Sequence, residues 1–146
     1  MPRWRILRQK RLSLVAFVLL IATAQSAIGH EITCPFSGEK QVLIVQLFLG
    51  QNVRGQRSLS QREWNLFLRQ SVTPRFPSGF TVYDADGQWM TPLTGRIGRE
   101  KTKVIVIAMQ NTPTARNRIE NLVAAYRNRF HQKSVGILTG VGCGAF

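Results

Sequence analysis

Histidine is scarce in this sequence, which limits the chemistry that the chain can support. Only His30 and His131 occur. A strong copper site at an N-terminal His30 needs a second histidine close by, and His131 is the sole candidate, so we predict no metal site. No serine lies in a Gly-x-Ser-x-Gly elbow, and no histidine is placed to act as its base. The sequence therefore carries no signature of nucleophilic catalysis, and we expect no cofactor.

The apolar run at the N-terminus is too short for a comfortable membrane span. It covers residues 12–24 and follows a leader with five basic and no acidic residues. Small residues then offer cleavage after Ala24 or after Gly29. This plan predicts a secretory signal peptide over residues 1–29 rather than a retained anchor. We expect an exported protein, periplasmic or secreted, whose mature chain does not span the membrane.

Acidic residues are few, with 7 Asp and Glu against 20 Lys and Arg. Loss of the five basic residues of the leader would lower the formal net charge from +13 to +8. The remaining basic residues are scattered rather than clustered, which is typical of a solvated basic surface. The alternative is an acidic partner, such as anionic lipid headgroups or a cell-wall polymer.

Cysteine is limited to Cys34 and Cys143, one near each end of the mature chain. In an exported protein such a pair is expected to form a disulfide. Two free thiols, or pairing with another chain, are the alternatives.

Four segments have the patterns of β-strands. Residues 40–50 and 103–109 are nearly unbroken apolar runs, which predict strands buried on both faces. Residues 80–83 and 134–139 predict two further strands that carry more polar residues and glycine.

Two helices separate these strands. Ser60 and Glu63 match a capping box, and Trp64 begins an apolar stripe that continues to residue 72. Thr112 and Pro113 match the N-cap and first position of the second helix. The resulting order, β-α-β-β-α-β, is that of the ferredoxin-like or split βαβ fold, an α+β class.

The ferredoxin-like arrangement explains why the first and third predicted strands are the most apolar, because they are central in its four-stranded antiparallel sheet. Right-handed crossovers place both helices on one face. The other face, with residues such as Ile44 and Val106, would be an exposed apolar patch, and we expect a homodimer to bury it. The fourth strand lies beside the first, which brings Cys34 and Cys143 together. We therefore divide the chain into a signal peptide (1–29), an extension (30–39) and one domain (40–146).

Two groups of residues carry a family resemblance. The central group is Arg75-Phe76-Pro77, Gly79, Thr81-Val82, Asp84-Ala85, Gly87-Gln88-Trp89, Gly95, Arg99-Glu100 and Lys103. The C-terminal group is Tyr126, Arg129-Phe130, Gln132 and Ser134-Val135. Over residues 42–135 the sequence resembles a family of small exported bacterial proteins and lipoproteins classed as a domain of unknown function, DUF3574. The chain lacks the cysteine of a lipoprotein, and the resemblance implies no established reaction.

The candidate ligand site is a set of six residues: Arg75, Asp84, Gln88, Trp89, Arg99 and Glu100. We predict that they form a polar cluster in which Arg–carboxylate pairs fix a corner of the fold and the indole covers it. The alternative is a site for an anionic or aromatic ligand. For residues 84–87 we prefer a turn to a strand that would bring Asp84 and Asp86 to one face, and a calcium loop would lack its twelfth-position glutamate.

Two functions follow as hypotheses. The preferred one is a non-catalytic exported module, a homodimer that binds a small anionic or envelope-associated partner. The alternative is an enzyme of the dimeric α/β-barrel kind, with Arg75, Asp84 and Glu100 as polar groups in a cavity, for which fold analogy is the only argument. We expect no nucleic acid partner, since the third strand lacks aromatic residues for base stacking.

Overall fold

The computed structural model of the protein describes residues 33–53 and 56–146. The predicted signal peptide and its cleavage site therefore lie outside the described residues. Within the described part, no helix is both long and apolar enough to cross a membrane.

The described chain alternates strands and helices in the predicted order, with one added hairpin. The elements are β1 (Lys40–Gly50), β2 (Asn52–Val53), β3 (Arg57–Ser58), α1 (Gln61–Phe67), β4 (Thr81–Met90), β5 (Ile97–Met109), α2 (Pro113–Phe130) and β6 (Gly136–Gly144). Strands β2 and β3 pair with each other in the connector before α1. A π-helical turn, Leu68–Val72, continues α1.

Both helices begin where the sequence predicts. The Ser60 hydroxyl accepts a hydrogen bond from the Glu63 amide, and the Glu63 carboxylate accepts one from the Ser60 amide, which completes the capping box. The Thr112 hydroxyl accepts a hydrogen bond from the Ala115 amide at 3.1 Å. These caps satisfy backbone N–H groups that have no partner inside the helix.

Four strands form one antiparallel sheet in the order β4-β5-β1-β6. The two apolar runs are its central strands, which confirms the ferredoxin-like α+β assignment. Central strands have neighbours on both sides, so continuous β-branched and leucine content suits them.

The core lies between the sheet and the two helices. Leu47 and Ile105, on the central strands, are fully buried in one cluster with the aromatic residues of the helices. The Phe67 ring makes edge contacts with the rings of Tyr126 and Phe130, at centroid distances of 5.2 and 5.6 Å. We call this side of the sheet the helix face. Because side chains alternate along a strand, Ile44 and Val106 lie on the opposite side, the open face, as predicted.

The predicted turn at residues 84–87 is wrong, because β4 continues through them to Met90 and β5 begins at Ile97. Asp84 pairs in register with Lys103, and Asp86 with Lys101. These cross-strand pairs of opposite charge offset the low strand propensity of aspartate and glycine. The chain reverses instead at residues 91–96, where Gly95 has a φ of 63°. The last strand is also displaced, ending at Gly144 rather than at residue 139.

A disulfide joins Cys34 to Cys143, with a Cα–Cα distance of 5.5 Å. The prediction of an intramolecular pair is confirmed. Antiparallel pairing of β1 with β6 sets Gln41 opposite Cys143, so the residues just before β1 reach the end of β6. The bridge is thus a result of the sheet order.

Candidate functional site

The six candidate residues do not form a single cluster, because the pleat of β4 and β5 divides them between two faces. Val82 and Ile105 pack on the core. Because side chains alternate between the two faces along a strand, Asp84, Gln88 and Arg99 also lie on the helix face. Trp89 and Glu100 lie on the open face.

On the helix face, β4 and β5 carry three cross-strand polar pairs. The Lys103 ammonium contacts the Asp84 carboxylate, and the Lys101 Nζ is 2.7 Å from an Asp86 oxygen. Arg99 Nε donates a hydrogen bond to Gln88 Oε1 at 2.9 Å. The hydrogen bond that Lys101 donates to Asp86, together with the negative charge of Asp86, raises the pKa of Lys101. The two side chains of each pair satisfy each other's polar groups, and the pairs hold the outer halves of β4 and β5 together.

Arg75 lies far from the other candidates. Its guanidinium donates a hydrogen bond to the Ser71 carbonyl at 2.7 Å. The residue lines a cavity of about 380 Å³ that also includes Met109. Met109 is the last residue of β5, whereas Trp89 pairs with Gly98 near the first. The structure therefore does not bring the arginine and the indole together.

Trp89 and Glu100 each lie flat over a glycine of the neighbouring strand. A Cβ atom at Gly98 would come within 2.5 Å of the Trp89 ring, and one at Gly50 within 2.5 Å of the Glu100 carboxylate. Glu100 Oε1 accepts a hydrogen bond from the Asn52 amide at 2.7 Å. The two glycines thus provide the space for these side chains, while Trp89 remains 51% exposed.

These two side chains line a cavity of about 690 Å³ at one end of the open face. We call it the Trp89 cavity. Phe48 of β1, Gln88 of β4, and residues 131–134 between α2 and β6 complete much of its wall. Sequence reasoning did not assign Phe48 or residues 131–134 to the site. For residues 131–134, the C-terminal motif that contains Gln132 was the signal in the sequence that could have identified them.

Three of the motif residues meet at the end of β1. Glu100 accepts the hydrogen bond of the Asn52 amide, and Gln132 Nε2 donates one to the Asn52 carbonyl at 2.6 Å. Tyr126 donates one to the Gly50 carbonyl at 2.8 Å. Burial, and secondarily the negative charge of Glu100, raise the pKa of Tyr126. The phenol therefore stays neutral and continues to donate this hydrogen bond.

Cys34, Glu39 and Cys143 bring metal-ligating side chains together in the described part of the chain. The two sulfur atoms are already joined in the disulfide. This group therefore offers no free thiolate for a metal, and the Trp89 cavity is the candidate site.

Solved structures with similar folds include enzymes and other proteins. A phage SAM lyase in complex with S-methyl-5'-thioadenosine has a TM-score of 0.54 and 14% sequence identity, covering 72% of this chain and 90% of that chain. A phage SAM lyase in its apo state gives 0.51 and 16%, covering 80% and 97%. CutA from Synechococcus elongatus gives 0.49 and 8%, covering 75% and 87%. At these identities the likeness concerns the fold alone.

Sequence comparison identifies a family. No curated protein matches the chain. The profile of a family described as a protein of unknown function, DUF3574, matches residues 45–146. This match covers more than half of the sequence. It includes β4, β5, α2 and β6 in full, and the residues from β4 onwards supply most of the lining of the Trp89 cavity. The chain therefore belongs to the DUF3574 family.

Proposed function

We propose that the protein is an exported, non-catalytic module that binds a small or envelope-associated ligand in the Trp89 cavity. The observation that carries the proposal is the half-exposed indole at the wall of this cavity, beside Glu100 and Gln132, whose side chains are hydrogen-bonded to the Asn52 backbone. An exposed aromatic surface in a concave site gives a ligand apolar area to bury. Catalysis instead needs several reactive groups that converge on one point, and Asp84 and Arg99 are paired on the opposite face.

Export is part of this proposal. The leader has the plan of a signal peptide ending at residue 24 or 29. The disulfide between Cys34 and Cys143 supports it, since such bonds persist mainly in oxidising compartments.

A homodimer formed through the open face is also part of the proposal. Ile44 and Phe48 pack against Gly142 and Gly136 of β6, where an added Cβ atom would come within 2.9 Å of Ile44 and 3.1 Å of Phe48. Glycine at these positions leaves room for the neighbouring apolar side chains, and a largely apolar face suits the packing of one sheet on another about 10 Å away. Leu138, 55% exposed on this face, would lose water contact in such a dimer.

An enzyme remains the second candidate, because Glu100 brings a carboxylate to the wall of the cavity. Of the other two polar groups expected for an enzyme, Arg75 lies at the far end of β5 and Asp84 pairs with Lys103 on the helix face. An enzyme would therefore depend on Glu100, whereas a binding module depends mainly on Trp89.

Native mass spectrometry of protein purified from the periplasm tests the proposal. We expect a dimer whose chains begin after Ala24 or Gly29, with a small retained mass that Trp89→Ala loses. Tyr83→Ala, on the same face but outside the cavity lining, is the matched control and should retain it. Equal retention by the Trp89 variant would refute the binding site, and a monomer at micromolar concentration would refute the dimer.

A further inference from the structure

Glu100 brings a half-buried negative charge to the wall of the Trp89 cavity. Its carboxylate accepts the Asn52 amide and forms no ion pair with any residue in the described ranges. The adjacent basic residues, Arg99 and Lys101, bind Gln88 and Asp86 on the other face. A carboxylate that is partly removed from water is stabilised by a nearby positive charge.

The polar groups that interact with Glu100 in the described part of the chain do not supply that charge. The Asn52 amide is a neutral donor. Tyr126, whose pKa is raised by burial and by Glu100 itself, stays a neutral phenol bound to the Gly50 carbonyl. The chain is strongly basic as a whole, so a cavity carboxylate that has no ion pair among the described residues is a local exception to its charge.

Trp89 adds an aromatic surface to this negative site. One face of the indole lies against Gly98, and half of the residue is exposed at the cavity. Among aromatic side chains, tryptophan attracts cations most strongly over its ring. Carboxylate and indole together favour a ligand with a positively charged, weakly hydrated group.

Lys133 competes with Glu100, because it lines the cavity together with His131 and could hold an anion. The lysine is exposed, whereas Glu100 is half-buried. Solvent and salt screen an exposed charge more than a partly buried one. The field of Glu100 should therefore dominate inside the cavity.

We infer that the Trp89 cavity binds a ligand that carries a quaternary or protonated ammonium group, with the nitrogen between the Glu100 carboxylate and the Trp89 indole. This inference rests on the proposed function and assigns the ligand chemistry of the same site.

An NMR titration of the ¹⁵N-labelled protein purified from the periplasm tests it. After removal of the predicted signal peptide, Trp64 and Trp89 are the remaining tryptophans, and buried Trp64 serves as an internal reference. The probes are choline and its neutral isostere 3,3-dimethylbutan-1-ol at equal ionic strength. We expect choline to shift the Trp89 indole N–H resonance saturably and to bind about tenfold more tightly than the isostere.

Glu100→Gln should weaken choline binding by about tenfold. The glutamine keeps an acceptor for the Asn52 amide, so the fold should be retained. Glu120→Gln makes the same charge change on the exposed side of α2 and should leave binding unaltered.

Equal affinity for the two probes, no shift with choline, or an undiminished affinity in Glu100→Gln would each overturn the inference. If acetate shifts the Trp89 resonance and Lys133→Gln abolishes that shift, the cavity binds anions, so the inference fails and the proposed function stands. The binding site of the proposed function fails instead if ligand retention in native mass spectrometry does not depend on Trp89.

Discussion

Replacing Gly50 with alanine should destabilise the protein only while Glu100 is present. The new Cβ would overlap the Glu100 carboxylate, which must move and give up the Asn52 amide. A hydrogen bond to a charged acceptor contributes about 1.5 kcal/mol at the low end of its range, which suits a half-exposed carboxylate. Alanine in a strand recovers roughly 0.5–1 kcal/mol relative to glycine. The expected net loss is therefore about 0.5–1 kcal/mol.

In a Glu100→Ala background the same substitution should change sign. No carboxylate is left to displace, so only the backbone gain of about 0.5–1 kcal/mol remains. The difference between the two backgrounds, about 1.5 kcal/mol, is the coupling energy between the two positions.

Urea unfolding of the four proteins in this cycle gives the coupling from midpoints at a constant slope. Gly140→Ala is the matched control, since a Cβ at Gly140 would contact nothing within 4 Å, and its effect should be the same in both backgrounds. If Gly50→Ala has the same effect with and without Glu100, the glycine does not provide the space for the carboxylate, and the contact between these two positions is wrong.

Three further predictions concern the rest of the domain. Trp89→Ala should lower the free energy of unfolding by about 1 kcal/mol, because half of the side chain is buried, and should lower the melting temperature by several degrees. Leu93→Ala, at an exposed turn position, should change neither quantity. Reduction of the disulfide, which spans 109 residues, should lower the free energy of unfolding by about 4–5 kcal/mol in urea titrations, and an unchanged midpoint would contradict this. The hydrogen bond from Arg57 lowers the pKa of Glu63 to about 2 from its ordinary value of 4.5. The stabilisation from this ion pair is therefore complete above pH 4.5 and is lost as the pH falls towards 2, and Glu63→Gln should flatten that part of the acid unfolding curve.

The central part of the fold could be predicted because its signals are local. Continuous apolar runs identify β1 and the inner half of β5 as the middle of the sheet, and the caps at Ser60 and Thr112 mark where the helices begin. The outer half of β4 could not be predicted in this way. Asp84 and Asp86 have the composition of a turn, and the lysines that stabilise them in a strand lie on β5, so only the pairing register reveals them.

The candidate site was predicted in part for a similar reason. Glu100 and Trp89 do share one end of the open face, but strand parity separates them from Asp84, and the length of β5 separates them from Arg75. The glycines that give the carboxylate and the indole their space, Gly50 and Gly98, belong to adjacent strands. A glycine in a strand pattern signals a close approach but does not say which side chain approaches.

The link between Cys34 and Cys143 turns nearly the whole described domain into a covalent ring. A pulling force applied between the residues just outside the ring travels through the sulfur atoms and bypasses the sheet. If the chain were anchored at one end and pulled at the other, the Trp89 cavity would therefore not be deformed. A single cut by a protease inside the ring would likewise leave both pieces attached.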